Sequence, residues 1–562
     1  MPESTPFSSS LSFPTGDVAW REWNPELFED PSIAEQLRLL VVAPAWHPDL
    51  HEFDRVLFND SRLQEALAAG VTPIRVDADE RPDVARRYAE DGELGLALLS
   101  PGGAPLVRFR ATIAPEVLEA IRHWQARWRD ERDEVLAEIE AEQVVRLASI
   151  QAVPGELTPS ALDLMLDRAN EASEPAGPQQ IALWLYADHR RADRDAERRA
   201  RMAIQRRVDG EGFDHERGGF QRDVGPDSAS VVRLTEDQGH WLRVLARVAG
   251  EDGDAHEWAR DAVVQTIDFV EAELLNSNGG FQQGADDQRV FATANAALAR
   301  GLLACGVVFG RSDWRSRGQT AVDFLVRQMR AGEAGYHHGW DGVPYTLGLL
   351  VDQIATGQAL LDAHEVTGSI DYLHHAQTIA LLLERQFQTP NGMLADLDIA
   401  HEADGLLEEP RFDLLDQALA ADLLIRLTHL THDDRYVDSA YALLGAVAGA
   451  MEQADLEAGS AIARTIDRIL SVEAEIKIVT AAPPGEYDGI ADPLHTEALR
   501  LSLAAHTVQR LNPDFDDVLS GQLGLPMGPP GAYCFVLGGY GALLTRPDEL
   551  LPAIERGLSE MA

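Results

Sequence analysis

Lysine is almost absent from this chain of 562 residues. Lys477 is the single lysine, so arginine supplies nearly all of the 48 basic residues, which face 93 acidic ones. The net charge is −45 and is spread along the whole chain, which predicts a protein kept soluble at high salt by self-repulsion and hydration. Recruitment of a basic partner is the alternative, but no acidic block dominates. Nucleic acid and anionic membranes are disfavoured as partners.

Cysteine is nearly as scarce. Cys305 and Cys534 are the only two, which excludes a disulfide framework and a cysteine-based metal site. Residues 1–16 are rich in serine and proline and have no basic start or apolar core, so they predict a disordered lead rather than a signal peptide. The apolar runs at 37–46 and 532–545 are too short or too glycine-rich to span a bilayer. A cytoplasmic protein without cofactor is expected.

A short pattern returns about every 60 residues in the middle of the chain. An acidic or small residue followed by Gln or Asn opens a run of small apolar residues. A Gly-aromatic mark, which is a glycine followed by an aromatic residue or, in the last case, by methionine, precedes each of these openings. The openings are Asp237-Gln238, Ala294-Asn295, Asp352-Gln353 and Asp416-Gln417; the marks are Gly219-Phe220, Gly280-Phe281, Gly335-Tyr336 and Gly392-Met393.

Units of this size cannot bury their apolar faces alone and must stack. The period extends backwards to 179–187 and forwards to 493–511, which predicts six helical hairpins. The segment 455–475 is predicted to be the outer helix of a late hairpin. Neither end shows a polar capping repeat, which favours a closed (α/α)6 toroid over an open solenoid. Its central cavity is the expected site.

The segment 17–128 has a different pattern. Apolar runs at 37–43 and 71–76 alternate with helical segments, and a hairpin across Pro101-Gly102-Gly103 precedes a closing helix. This order predicts a small α/β domain. Residues 129–155 are expected to form a linker helix, and residues 156–562 the toroid. In Asp79-Glu80-Arg81-Pro82-Asp83, the proline and acids are typical of a helix start.

Several stretches resemble one known family. Trp20-Arg21-Glu22-Trp23 and the segment 76–84 are similar to the spermatogenesis-associated, thioredoxin-domain-containing proteins and their microbial relatives. Phe213-Asp214-His215 and Ala532-Tyr533 also lie where that family has similar motifs. The resemblance covers nearly the whole chain. It implies a thioredoxin-like domain followed by a six-hairpin toroid, which in turn resembles N-acylglucosamine and cellobiose 2-epimerases and six-hairpin glycosidases.

The departures from that family bear on its chemistry. His47-Pro48-Asp49-Leu50 stands where relatives carry a Cys-His-Trp-Cys redox motif. Disulfide exchange needs an attacking thiolate and a resolving thiol, so thioredoxin-type redox activity is excluded. Polar family motifs of the toroid are replaced at 230–233 and 414–417 as well. The chain is therefore interpreted as a divergent member of the family.

Three aspartates are the first catalytic candidates: Asp237, Asp352 and Asp416. At the start of a helix a carboxylate accepts backbone N–H bonds and complements the helix dipole, which is a structural role. The functional alternative is that the inner helices bring these carboxylates together in the cavity, as general acid and base for a glycosidic bond.

Histidines beside the Gly-aromatic turns are the second candidates. His215, His337 and His338 could move a proton at the carbon next to a carbonyl, because imidazole titrates near neutrality. Ordinary polar turn residues are the alternative. Aromatic rings nearby would bind sugar faces: Phe220, Phe281, Trp340 and Tyr345. No metal ligands are predicted, since no His-Glu-x-x-His spacing occurs.

Two functions remain open from the sequence. One is an enzyme that acts on a carbohydrate in the toroid cavity, by epimerisation or glycoside cleavage. The other is a non-catalytic binding or scaffold protein, with a protein partner on its thioredoxin-like surface. Two titratable side chains facing each other across a closed cavity would favour the first.

Overall fold

The structure is a computed structural model that describes residues 18–559, except 48–49, 90–93, 110–113, 150–151, 174, 223–231, 251–255, 401–403, 484, 502, 526–527 and 537–538. The predicted N-terminal lead lies outside these residues. The chain divides into two compact units. The first comprises Met1–Gln151, Val224–Ser230 and Ala400–Arg411, and the second comprises Ala152–Asp223, Val231–Ile399 and Phe412–Ala562.

The first unit alternates strands and helices before a hairpin. Its helices are α1 (Pro25–Glu29), α2 (Leu50–Leu57), α3 (Ser61–Ala68), α4 (Pro82–Tyr88), α5 (Ala114–Asp130) and α6 (Arg132–Ser149); its strands are β1 (Leu37–Ala43), β2 (Val71–Asp77), β3 (Gly95–Leu99) and β4 (Pro105–Phe109). The predicted linker helix corresponds to α6.

One four-stranded sheet forms the centre of the first unit, in the order β2-β1-β3-β4. The strands β1 and β2 are parallel, with Leu37 opposite Val71, and β3 is antiparallel to β1. Every residue of β1 is buried, because the strand is apolar apart from Arg38 and lies between two neighbours. The start of α4 is built as predicted: Pro82 lies in its first turn and Arg81 pairs with Asp83 at 2.7 Å.

The second unit contains the helical repeat. Its helices up to residue 470 are α7 (Ser160–Glu171), α8 (Pro178–Arg191), α9 (Arg194–Asp209), α10 (Thr235–Ala249), α11 (Glu257–Phe269), α12 (Ala292–Val308), α13 (Ser312–Phe324), α14 (Leu350–Thr367), α15 (Ile370–Leu382), α16 (Leu414–Thr431), α17 (Asp434–Val447) and α18 (Leu456–Leu470). Three short strands accompany them, namely β5 (Val290–Phe291), β6 (Gly339–Trp340) and β7 (Pro344–Tyr345).

These helices form a closed ring of six hairpins. The inner helices α8, α10, α12, α14, α16 and α18 each pack against the next, and α18 packs back against α8. The outer helices α9, α11, α13, α15 and α17 each follow an inner partner in the chain. Glycine permits a close approach of α10 and α12, since a Cβ on Gly239 would clash with the Leu298 nitrogen.

The sixth hairpin differs from the prediction. The helix α18 pairs with α7, which comes before α8 in the chain, and α18 also contacts α8 and α16. The segment 455–475, expected to be an outer helix, thus contains an inner one. Residues 493–511 contribute no hairpin to the ring. The two ends of the repeat therefore meet in one hairpin.

The chain after α18 forms a second four-stranded sheet and not a further part of the toroid. Its strands are β8 (Ala474–Val479), β9 (His506–Leu511), β10 (Gly531–Val536) and β11 (Gly539–Tyr540), and its helices are α19 (Ala491–Arg500), α20 (Asp517–Gln522) and α21 (Leu550–Ser559). The order is β11-β10-β8-β9. The strand β9 contacts α14 and α16, and α19 contacts α12. The predicted toroid boundary of 562 is corrected, since the ring ends near residue 470.

Candidate functional site

The repeated Gln or Asn is a backbone clamp. The Gln238 side chain accepts a hydrogen bond from the Phe220 amide at 2.6 Å and donates one to the Phe220 carbonyl at 2.8 Å. Asn295 clamps Phe281, Gln353 clamps Tyr336 and Gln417 clamps Leu394 in the same way. Each clamp fixes the turn that leads from an outer helix to the next inner helix. The Gln or Asn that recurs in the sequence therefore has a structural role, which is to hold this turn in place.

The two phenylalanines predicted as sugar platforms lie in these clamped turns. Phe220 and Phe281 are both 0% exposed, and Phe220 stacks on Trp241 with ring centroids 5.2 Å apart. Neither ring offers a face to a ligand, so this assignment is corrected. The Gly-aromatic mark inserts an aromatic ring into the core, where it anchors the turn.

The predicted aspartates lie at the third position of three different inner helices. Asp237 accepts two hydrogen bonds from the Arg222 guanidinium, at 2.8 and 2.9 Å. Asp352 is fully buried and lies 3.0 Å from Nδ1 of His338. Asp416 is buried in α16, where Asp413 caps the helix instead. Each carboxylate thus belongs to its own repeat.

Part of the predicted histidine cluster does assemble. His338 contacts Asp352 and also lies 5.1 Å from the Phe291 ring, between centroids. Trp340 and Tyr345 belong to neighbouring strands of the sheet β5-β6-β7. Burial lowers the pKa of the adjacent His337. His215 is exposed in a different repeat, so the structure does not bring it to this cluster.

A central cavity lies within the ring. Its volume is about 480 Å³, and all six inner helices contribute to its wall. Near the ends of these helices the wall includes His189, Arg247 and Val366, together with Leu499–Leu501 and Ala504–His506 from the C-terminal segment. That segment therefore covers one end of the cavity. Gln179 and His240 lie toward the helix starts.

None of the six predicted catalytic residues lines this cavity. The lining residues lie farther along the same inner helices, where charged side chains interrupt apolar sequence. They include Arg243 on α10, Arg300 on α12, Asp362 on α14, Asp422 on α16 and Arg464 on α18. The signal was present in the sequence, since an arginine in an Ala-rich, otherwise buried helix needs a polar environment.

A network of ion pairs crosses the cavity wall between neighbouring helices. Arg300 lies 2.7 Å from Asp362, and Arg426 lies 2.7 Å from both Asp362 and Glu365. Arg468 pairs with Asp422 and, at 2.6 Å, with Glu473. Double pairing of this kind fixes the rotation of the inner helices about the cavity.

The pKa values of two carboxyl groups in this network are shifted in opposite directions. Burial raises the pKa of Glu365 above its ordinary value. Burial also opposes ionisation of Asp362, but Arg300 and Arg426 outweigh it and hold its pKa well below the usual range. The two residues are three positions apart on α14 and share the Nη2 atom of Arg426. The two neighbouring carboxyl groups thus differ in the direction in which their surroundings shift the pKa.

Comparison with known proteins gives similarity to solved structures alone. No protein-family model matches the chain, and no curated protein matches it in sequence. Cellobiose 2-epimerase from Bacillus thermoamylovorans is similar with a TM-score of 0.41 at 14% identity, over 47% of this chain and 73% of that one. Unsaturated glucuronyl hydrolase from Bacillus sp. GL1 is similar with a TM-score of 0.42 at 13% identity, over 55% of this chain and 95% of that one. A D-mannose isomerase is similar with a TM-score of 0.35 at 17% identity, over 43% of this chain and 68% of that one.

Among the described residues, no helix is long and apolar enough to cross a membrane.

Proposed function

We propose that the second unit binds a small hydroxylated molecule, of the size of one or two sugar rings, in its central cavity. The observation that carries this is the cavity itself, about 480 Å³ in volume and covered at one end by the C-terminal segment. This volume is in the range of small-molecule sites. Gln179, Gln358 and His240 line it with hydrogen-bonding groups, and Tyr186 adds an aromatic side chain.

A cavity-filling variant tests this proposal. Ala304 lines the cavity from α12, and Ala304→Trp would fill part of the volume. Titration calorimetry with a panel of aldoses, uronates, sugar phosphates and disaccharides should detect binding to the unaltered protein and at least a tenfold loss in the variant. Equal binding by a variant with an unchanged melting temperature would place the ligand elsewhere.

Proton transfer to or from the bound sugar is the second candidate function. It is favoured by the opposite pKa shifts of Glu365 and Asp362, since an acid and a base on one helix turn suit epimerisation or glycoside cleavage. NMR in D2O, following the hydrogen at C2 and the anomeric signals, detects either reaction.

Two variants distinguish the cavity pair from the sequence-predicted site. Loss of the reaction in Glu365→Gln, but not in His338→Gln, would assign the chemistry to the cavity. The reverse would assign it to the His338–Asp352 pair. No exchange and no cleavage with any sugar would leave the non-catalytic binding function.

For the first unit we propose a thioredoxin-like domain that has lost its redox function. The sheet order β2-β1-β3-β4 with parallel β1 and β2 supports this fold, and the sequence has no cysteine before Cys305. Binding of a protein partner would be the remaining role for its surface.

A further inference from the structure

The wall of the central cavity is basic, in contrast to the rest of the chain. Seven arginines and three carboxylates line it, whereas the protein as a whole carries a net charge of −45. Surface adaptation to salt explains acidic residues on the outside. It does not explain arginines on the inner face of a closed ring, because that face is not part of the outer surface.

The three carboxylates are already neutralised by three of the arginines. Asp362 and Glu365 pair with Arg426, Asp362 also pairs with Arg300, and Asp422 pairs with Arg468. No lining carboxylate is left for the other arginines.

Four lining arginines therefore have no carboxylate within ion-pair distance among the described residues. Arg464 donates a hydrogen bond to Oε1 of Gln179 at 2.8 Å, Arg247 to the Leu503 carbonyl at 3.3 Å, and Arg500 to the Val307 carbonyl at 3.0 Å. Arg243 makes no hydrogen bond or ion pair with the described part of the protein.

Arg243 lies in the middle of α10, where the ring surrounds it while its side chain remains open to the cavity. Arg300 and Arg464, which line the same cavity, place further positive charge near it. A cation placed among cations in a confined space is unfavourable unless an anion joins it. This arrangement indicates a binding site in which the ligand supplies the missing negative charge.

We infer that the cavity ligand carries a carboxylate or phosphate group, and that this group binds to the guanidinium of Arg243 with Arg464 and Arg247 beside it. The inference rests on the function proposed above and narrows it from a hydroxylated molecule to a sugar acid or a sugar phosphate. Guanidinium groups bind both oxyanions through two parallel hydrogen bonds, and a confined cavity weakens screening by salt.

The test compares matched sugars with and without charge. Binding of glucose, glucuronate, glucose 6-phosphate and inorganic phosphate is measured by calorimetry in concentrated KCl with the full chain. We expect one of the two charged sugars to bind at least tenfold more tightly than glucose, and its identity separates the carboxylate from the phosphate. Equal affinity for glucose and both charged sugars would overturn the inference but leave the cavity as a neutral-sugar site.

Arg243→Gln provides the second arm, with Arg327→Gln as the control because Arg327 is 72% exposed and does not line the cavity. Arg243→Gln should lose at least tenfold in affinity for the charged sugar while its melting temperature without ligand stays the same or rises. Undiminished affinity in this variant would overturn the inference. If no probe binds to the unaltered protein, or if inorganic phosphate binds as tightly as either charged sugar, it is likewise overturned.

The cavity-filling variant separates the two proposals. Tight binding of a charged sugar that Arg243→Gln abolishes and Ala304→Trp abolishes supports both. Binding that depends on neither residue contradicts both. If neutral sugars bind and only Ala304→Trp abolishes their binding, the cavity remains the proposed site, but the inference of an anionic ligand is wrong.

Discussion

His364 illustrates how a buried group makes the stability of this protein depend on pH. The ring lies fully buried in α14, where Nδ1 donates to the Ser369 carbonyl at 2.8 Å and Nε2 faces the side-chain amide of Gln509 at 3.2 Å. Burial lowers the pKa of His364 to about 4, and Lys477, His495 and Arg426 oppose its protonation further. The folded protein therefore holds this histidine neutral.

The sign of the pH effect follows from the two pKa values. In the unfolded chain histidine titrates near 6.5, so between about 6.5 and 4 only the unfolded state binds the proton. The free energy of unfolding should therefore be unaffected above pH 6.5, fall as the pH drops through this window, and level off near 4. A single histidine of this kind contributes up to about 3 kcal/mol.

Melting temperatures between pH 7 and 4.5 test this expectation. His364→Gln should lose less stability over that range than the unaltered protein, because one proton-binding group has been removed from the unfolded state. His374→Gln, which changes an exposed histidine on α15, is the control and should follow the unaltered protein. An identical slope for all three proteins would assign the acid sensitivity to other groups.

At the scale of single elements, the amide clamps are the features whose loss should be most costly. The Gln353 side chain satisfies the amide and the carbonyl of Tyr336 and also the Leu349 carbonyl, all in the buried interior. Gln353→Leu would keep a similar size and leave these groups without partners. We expect a loss of about 2–4 kcal/mol in the free energy of unfolding.

Chemical denaturation measures this loss, with Gln453→Leu as the control, since Gln453 is exposed. The control should change stability by less than about 0.5 kcal/mol. A Gln353→Leu protein as stable as the control would mean that water replaces the clamp, and the structural explanation of the repeat would be lost.

The repeat predicted the hairpins between residues 235 and 431 because their spacing is local and regular. It could not predict that α7 and α18 pair, since these helices are about 300 residues apart and no periodicity links them. The strands β8 and β9 were missed because each has only six residues, and so short a segment fits a helix of the expected period equally well. The environment of Arg243 depends on which face of α10 points into the ring. That orientation is set by packing against the neighbouring inner helices, so the sequence alone does not give it.

At the scale of the whole molecule, each unit contains a four-stranded sheet of the same connectivity. The order β2-β1-β3-β4 in the first unit corresponds strand by strand to β9-β8-β10-β11 in the second. In both sheets the first two strands are parallel, and the third strand is antiparallel to the first. The cysteine-free first sheet and the sheet that covers the cavity therefore share one topology.

The net charge of −45 predicts that salt stabilises the folded chain. Repulsion among acidic side chains is strongest in the compact state and weakens when the Debye length falls below a few ångströms, at about 1 M salt. The melting temperature should rise between 0.2 and 2 M KCl by several degrees, and the radius measured by light scattering should not increase. A melting temperature that falls with KCl would contradict the charge-based interpretation.

Closure of the ring by α7 and α18 sets an order of events during synthesis. The helix α7 is made early, but its partner follows only after the other five inner helices have left the ribosome. Until then the apolar faces of α7 and α8 that α18 covers stay uncovered, and the growing chain must be protected from aggregation. A chain released before residue 456 would therefore be expected to need a chaperone, whereas one released after 470 would already hold both ends of its ring.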